Sequence, residues 1–244
     1  MAHRRLKVGL IGTGHIGRLH AEDLARRVPN AELRVVADVF VDAARQCADR
    51  LDVPEAVEDY HAILDNREIE AVVICSPSDT HGRIIGEAAA VGKHVFCEKP
   101  IDYELAKIDA ALGDLDTVVI TLSFTNGVIG TIDNCRHAVY GYDQRLELFG
   151  SGGSISVGNN FPDNAVLSTG DRISRDLPHH FFTERYVEAY TAEMQAFVDA
   201  VLQDRPVPVT GLDGRIPVVM ALAAQWSVRE GRPVRLDEVE SRSP

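Results

Sequence analysis

The sequence predicts an α/β fold in two parts: a doubly wound parallel sheet over residues 1–100, then an α+β region of mostly antiparallel sheet over residues 101–244. Three observations carry this. Up to Pro100, short apolar runs alternate with stretches of helical periodicity, the pattern of parallel strands joined by right-handed crossovers. A glycine-rich turn separates the first run from the first helix. Beyond Pro100 the runs become β-branched and are joined by short turns, which is the signature of antiparallel pairing.

Each element has its own signal. Lys7 to Ile11 is an apolar run, and His15 to Arg27 follows with Ile16, Leu19, His20 and Leu24 at helical spacing. Leu33 to Ala37 is a second strand and Val41 to Arg50 a second helix. A third strand, Ala71 to Cys75, stops at Ser76-Pro77, where proline cannot continue a ladder. His81 to Val91 reads as a helix ended by Gly92, and His94 to Cys97 as the next strand. Past Pro100 a helix is expected over Tyr103 to Leu112. Thr117 to Phe124 and Val128 to Asp133 face each other across Asn126-Gly127 as a hairpin. Arg136 to Tyr140, Arg145 to Phe149 and Ser154 to Val157 extend it into a meander. Two helices finish the chain, Thr183 to Gln203 and Ile216 to Arg229, the second stopped by Gly231 and Pro233.

Composition narrows the partners. The 244 residues are 45% hydrophobic and 25% charged, ordinary for a soluble chain, and the net charge of −12 offers no field to attract nucleic acid. The four cysteines, Cys47, Cys75, Cys97 and Cys135, contain no Cys-x-x-Cys pair, so neither a zinc site nor a disulfide framework is expected and no metal is assigned. No stretch reaches the roughly 18 apolar residues of a membrane span. A cytoplasmic protein with reduced thiols is the expectation.

The turn after the first strand reads Gly12-Thr13-Gly14-His15-Ile16-Gly17, a Gly-x-Gly-x-x-Gly sequence. Gly12 permits the tight turn, Gly14 lets a pyrophosphate approach the backbone, and Gly17 allows close helix–strand packing. The helix that opens at His15 and Ile16 then turns unpaired N–H groups toward the diphosphate. Asp38 ends the second strand about twenty residues on, where a carboxylate accepts from the hydroxyls of an adenosine ribose. NAD is therefore favoured over NADP, since a 2′-phosphate would meet Asp38 with like charge and no arginine follows it at Val39 or Phe40. A methyltransferase shares the glycine turn and acidic strand end, but not the motifs after the third and fourth strands.

Those motifs are Ser76-Pro77-Ser78-Asp79-Thr80-His81 and Cys97-Glu98-Lys99-Pro100. With the glycine turn, they resemble the Gfo/Idh/MocA family of sugar and polyol oxidoreductases. Tyr140-Gly141-Tyr142-Asp143-Gln144-Arg145, the Phe-Gly-Ser-Gly-Gly turn from Phe149, and Arg185-Tyr186 with Ala189-Tyr190 are similar to its myo-inositol 2-dehydrogenase branch. The resemblance implies a Rossmann domain and NAD-dependent hydride transfer from a secondary alcohol of a polyol or sugar. Ser76, Pro77, His81, Glu98, Lys99 and Pro100 then border the cofactor. Lys99 is the implied catalytic residue, hydrogen-bonding the reacting hydroxyl, and Tyr140 and Tyr190 join it at the substrate. The peptide before Pro100 is expected to be cis.

The chain departs from the family in one respect. Set against the family it resembles, its length implies that about 100 residues are absent, with the junction near Ala111 to Gly113. That block carries early strands of the second domain and an Asp-x-x-x-His pair that serves as the family's acid and base. Residues 101–135 contain no such pair. His137, His179 and His180 are the possible substitutes. The shortened second domain is expected to pair with another copy, as a dimer or tetramer. Two alternatives stay open: a non-catalytic dinucleotide-binding or regulatory relative, and a natural product longer than this chain.

Overall fold

The computed structural model describes residues 4–100 and 117–242. The helix expected over Tyr103 to Leu112 and the junction near Ala111 to Gly113 lie outside them. The chain divides into two compact units, residues 1–113 with 188–244, and residues 114–187.

The first unit is built on a parallel sheet of β1 (Leu6–Ile11), β2 (Ala31–Ala37), β3 (Glu55–Val57), β4 (Ala71–Ile74) and β5 (His94–Cys97), in the order β3-β2-β1-β4-β5. The strands form because Leu6, Val8, Leu10, Val36, Val72 and Ile74 are buried between helix layers on both faces. Helices α1 (His15–Glu22), α2 (Val41–Leu51), α3 (His61–Asp65) and α4 (His81–Ala90) supply the crossovers. The order reverses between β1 and β4, so the turns after those two strands diverge and open a crevice at the carboxyl edge.

One face of this sheet is completed from far along the chain. Met194, Phe197 and Val198 join the core that holds Leu6, Val8, Leu10, Leu24 and Val73. They come from α6 (Val187–Leu202), which follows a short α5 (Phe182–Arg185). Burial of its apolar stripe, and not its place in the chain, joins α6 to the first unit. Two more helices, α7 (Gly211–Glu230) and α8 (Leu236–Arg242), pack around Val219, Ala223 and Val239.

The second unit consists of ribbons: β6 (Thr117–Ser123) with β7 (Ile129–Cys135), β8 (Leu146–Gly150) with β9 (Gly153–Val157), and β10 (Val166–Ser168) with β11 (Ile173–Arg175). Each pair is antiparallel, but among the described residues they do not join into the single meander expected. Arg136 to Tyr140, read as a strand, is a pair of turns. Its His137 N–H turns back to Cys135 Sγ at 3.4 Å, a local contact that suits a turn. The expected helix from Thr183 is broken at Tyr186. The first helix also ends early, at Glu22. Asp23–Arg27 continues as a π turn closed by Val28 N–H on the Asp23 carbonyl at 2.9 Å.

Candidate cofactor and active site

The glycine turn is fixed by backbone contact. Gly12 has φ +94°, and a Cβ there would lie 2.6 Å from the Cys75 carbonyl and the Ser76 nitrogen. A Cβ on Gly17 would stand 1.9 Å from the Gly12 oxygen. These two glycines let the turns after β1 and β4 touch. Gly14 differs, for nothing lies within 4 Å of the position its Cβ would take. Its open side is where a diphosphate can meet the backbone. The first intrahelical bond of α1 is Arg18 N–H to the Gly14 carbonyl at 3.0 Å, so the amides of His15, Ile16 and Gly17 have no intrahelical acceptor.

Asp38 braces this turn. Its Oδ2 accepts from both the backbone N–H and the hydroxyl of Thr13, each at 2.8 Å, and its Oδ1 from Phe40 N–H at 2.9 Å. Burial pushes the carboxyl up, but the bonds from Phe40 and Thr13 and the charge of Arg18 outweigh it and hold the group below its ordinary value. A carboxylate offers about four lone-pair sites. Oδ1, with a single donor, keeps one for a ribose hydroxyl. Open Gly14, unpaired amides and a residual carboxylate acceptor together fit the adenosine diphosphate half of a dinucleotide.

The turn after β4 and the segment after β5 form the other wall. Ser76 Oγ lies 2.7 Å from Thr80 Oγ1, which donates to the Pro77 carbonyl at 2.6 Å. His81, expected at the cofactor, is buried, with Nε2 at 2.8 Å from the Ser76 carbonyl and Nδ1 at 2.8 Å from the Pro100 carbonyl. It ties the two segments together. The Lys99–Pro100 peptide is cis, as expected. Lys99 is exposed at the carboxyl edge of the sheet. Glu98 Oε1 meets Nε2 of the fully buried His20 at 2.7 Å, and its Oε2 accepts from Lys99 N–H at 3.2 Å. Burial raises Glu98, yet the hydrogen bond and charge of His20, with Lys99, bring it below its usual value. Glu193 on α6, 3.9 Å from the same ring nitrogen, is raised by burial and by its carboxylate neighbours Glu98 and Asp23 against the opposing charge of His20.

The two tyrosines fall in different units. Tyr190 packs edge-on to His20 at 5.6 Å between ring centroids. Tyr140 belongs to the second unit, where its hydroxyl donates to Asp143, which also takes both Nε and Nη2 of Arg145 at 2.9 Å. Sequence reasoning gave no role to Thr13, Arg18 or Glu193 and did not pair His20 with Glu98. Helical spacing marks His20 as inward-facing, but its bond to Glu98 spans 78 residues and leaves no local signal. An Asp-x-x-x-His spacing does occur at Asp133 and His137, on the end of β7 and the turn after it. It does not lie on a helix.

Known proteins are similar to this chain over most of its length. Residues 6–117 match the Gfo/Idh/MocA model described as "Oxidoreductase family, NAD-binding Rossmann fold", and residues 87–236 match its C-terminal alpha/beta domain. The chain is 29% identical over 335 positions to the myo-inositol 2-dehydrogenase of Thermotoga maritima, spanning 96% of this chain and 99% of that one. It is 27% identical over 330 positions to the inositol 2-dehydrogenase of Rhizobium meliloti, spanning 95% and 99%. Both alignments are longer than the 244 residues of the chain, so a block of each relative faces a gap. Among solved structures, a "probable dehydrogenase" of Thermotoga maritima superposes with a TM-score of 0.90 at 28% identity, over 96% of this chain and 100% of that one. A myo-inositol dehydrogenase of Corynebacterium glutamicum does so with a TM-score of 0.86 at 25% identity, over 93% and 98%. The chain thus belongs to the Gfo/Idh/MocA oxidoreductase family, and its N-terminal domain is that family's NAD-binding Rossmann fold.

Proposed function

We propose that this chain is an NAD-dependent dehydrogenase of a polyol or sugar secondary alcohol, inositol-like in its ring of hydroxyls, with Lys99 as the residue that meets the reacting oxygen. The observation that carries the reading is the placement of Lys99, exposed beside the crevice and flanked by Glu98 and a cis Pro100. Oxidation of such an alcohol removes a hydride from carbon and a proton from oxygen. The bound nicotinamide supplies the hydride acceptor. The Lys99 ammonium hydrogen-bonds the oxygen and stabilises the alkoxide charge that develops on it. Asp38, Gly12, Gly14, Gly17, His15 and Ile16 hold the adenosine diphosphate half, while Ser76, Pro77, Glu98 and Pro100 border the nicotinamide half. Tyr190, in the same unit as Lys99, contributes to the polyol site.

Loss of the hydroxyl proton to water while the Lys99 ammonium stabilises the alkoxide, in place of the family's Asp-x-x-x-His pair, costs about 10²–10⁴-fold in rate. A second reading, a dinucleotide-binding relative without turnover, draws on the second unit. Its ribbons leave Ile129 72% and Phe149 88% exposed, as in a sheet lacking strands. The same exposure favours assembly of a dimer or tetramer through that unit, and the family's small-molecule chemistry favours a cytoplasmic enzyme. No described helix is long and apolar enough to cross a membrane.

The test is fluorescence titration with NADH and NADPH, then addition of myo-inositol and NAD with absorbance followed at the reduced-nicotinamide band. Tight NADH binding with slow turnover supports the dehydrogenase reading. Binding without turnover supports the second. Absence of NADH binding overturns both.

A further inference from the structure

Two buried histidines flank Lys99, and neither belongs to the chemistry proposed above. His20, on the second turn of α1, has Nε2 at 2.7 Å from Glu98 Oε1, while its Nδ1 is buried without a hydrogen-bond partner among the described residues. A carboxylate only accepts, so Nε2 carries a proton and donates to it. The ring is wedged edge-on against Phe96 at 5.3 Å and Tyr190 at 5.6 Å. An apolar side chain would fill that slot without an orphaned nitrogen. What the histidine adds is its bond to Glu98. Glu98 in turn uses its second oxygen on Lys99 N–H, and its own N–H donates to the Ile74 carbonyl at 3.0 Å, extending the β4–β5 pairing by a residue.

On the other side His81, at the start of α4, has Nδ1 2.8 Å from the Pro100 carbonyl and Nε2 2.8 Å from the Ser76 carbonyl, so the buried ring is packed between the two segments and its N–H bonds one of them. The residue before Lys99 is thus gripped through its side chain and the residue after it through its backbone. Both grips come from helices that begin at the crevice. His20 lies five residues after His15, about 7.5 Å along the helix whose first-turn amides face the diphosphate.

We propose that His20 and His81 are positioning residues that clamp the Glu98–Lys99–Pro100 segment from both sides. Helices α1 and α4, and not the loop itself, then fix where the Lys99 ammonium stands. The inference rests on Lys99 being the group that meets the alcohol oxygen.

The chain has four lysines, Lys7, Lys93, Lys99 and Lys107, so acetylation of each can be followed by mass spectrometry without relying on turnover. Lys93 is the internal control. Its ammonium donates to the Asn66 and Ile69 carbonyls at 2.6 and 2.7 Å, at the opposite edge of the sheet. In His20→Leu the acetylation rate of Lys99 should change by about tenfold, as expected when one charge-assisted hydrogen bond no longer holds the Glu98–Lys99–Pro100 segment in place. Lys93 should react as before, and His20→Gln, which keeps a donor, should restore most of the wild-type rate. Should His20→Leu fail to fold, Glu98→Gln provides the same comparison from the acceptor side.

An unchanged Lys99 rate in the folded variant overturns the clamp. So does a parallel rise at Lys93 and Lys99, because the histidine would then support the sheet generally. NADH protection of Lys99 in the wild-type chain is scored separately. Its absence overturns the placement of Lys99 at the cofactor, whatever the variants do.

Discussion

Replacing Asp38 by alanine should damage both the fold and the choice of cofactor, in amounts that follow from its three bonds. The N–H and hydroxyl of Thr13, a buried residue, would lose their acceptor. An orphaned buried donor costs about 1–3 kcal/mol. Water reaches the partly exposed carboxylate position and recovers some of this, which leaves about 2–4 kcal/mol for the pair. A domain of this size loses about 2–4 °C of Tm per kcal/mol, so the melting temperature should fall by roughly 5–15 °C. NADH should bind about tenfold more weakly for want of the ribose acceptor. NADPH should be less affected, because the repulsion against its 2′-phosphate disappears as well. Asp38→Asn separates the two effects. Its amide oxygen can still accept from Thr13, so most of the Tm should return, but the charge and the discrimination against NADPH should not. Thermal melts and parallel fluorescence titrations read both quantities. A Tm change below about 2 °C in Asp38→Ala, with an unaltered ratio of NADH to NADPH affinity, would refute the brace and the ribose role together.

Gly14→Ala and Gly17→Ala should part company. Gly14 has φ −65° and open space at its Cβ position, so alanine should leave the melting curve almost unchanged while weakening NADH binding in the titration. Alanine at Gly17 would drive a methyl into the Gly12 carbonyl and should cost about 1–3 kcal/mol or more in a denaturant melt. Lys99→Met should keep NADH affinity within a factor of about three and remove whatever polyol oxidation the wild-type chain shows. Asp38 and Glu98 both have folded-state values below their unfolded ones. Their stabilisation is fully present above the unfolded values near 4 and is lost as pH falls through the folded ones. Tm measured from pH 6 down to 3 should therefore drop below about pH 4, and Glu98→Gln should flatten that decline.

Much of the first unit was legible because its strands are buried on both faces and its turns obey backbone rules. Val8, Leu10, Val72 and Val73 form apolar runs that water would not tolerate exposed, and Gly12 and Gly17 stand where no Cβ fits. β3 was not legible. Three residues at the sheet edge, paired only with β2, carry no periodicity to read. The second unit was legible as hairpins, since Asn126-Gly127 dictates a local turn. Its assembly was not, since joining ribbons into a sheet depends on neighbours that local sequence does not encode. At the candidate site, Lys99, Asp38 and the glycines announce themselves by motif. The pairing of His20 with Glu98, or of His81 with Pro100, exists only once the helices have docked.

The helix that completes the sheet has a consequence for how the chain is made. Met194, Phe197 and Val198 cover the same apolar face as Leu6 and Val8, yet a ribosome delivers them about a hundred residues after β5. At about 5–20 residues per second, the nascent sheet waits roughly 5–20 s with that face uncovered. The NAD-binding half, although translated first, is thus closed last. A stop codon anywhere before α6 would leave a product whose glycine turn is intact in sequence and whose core cannot close.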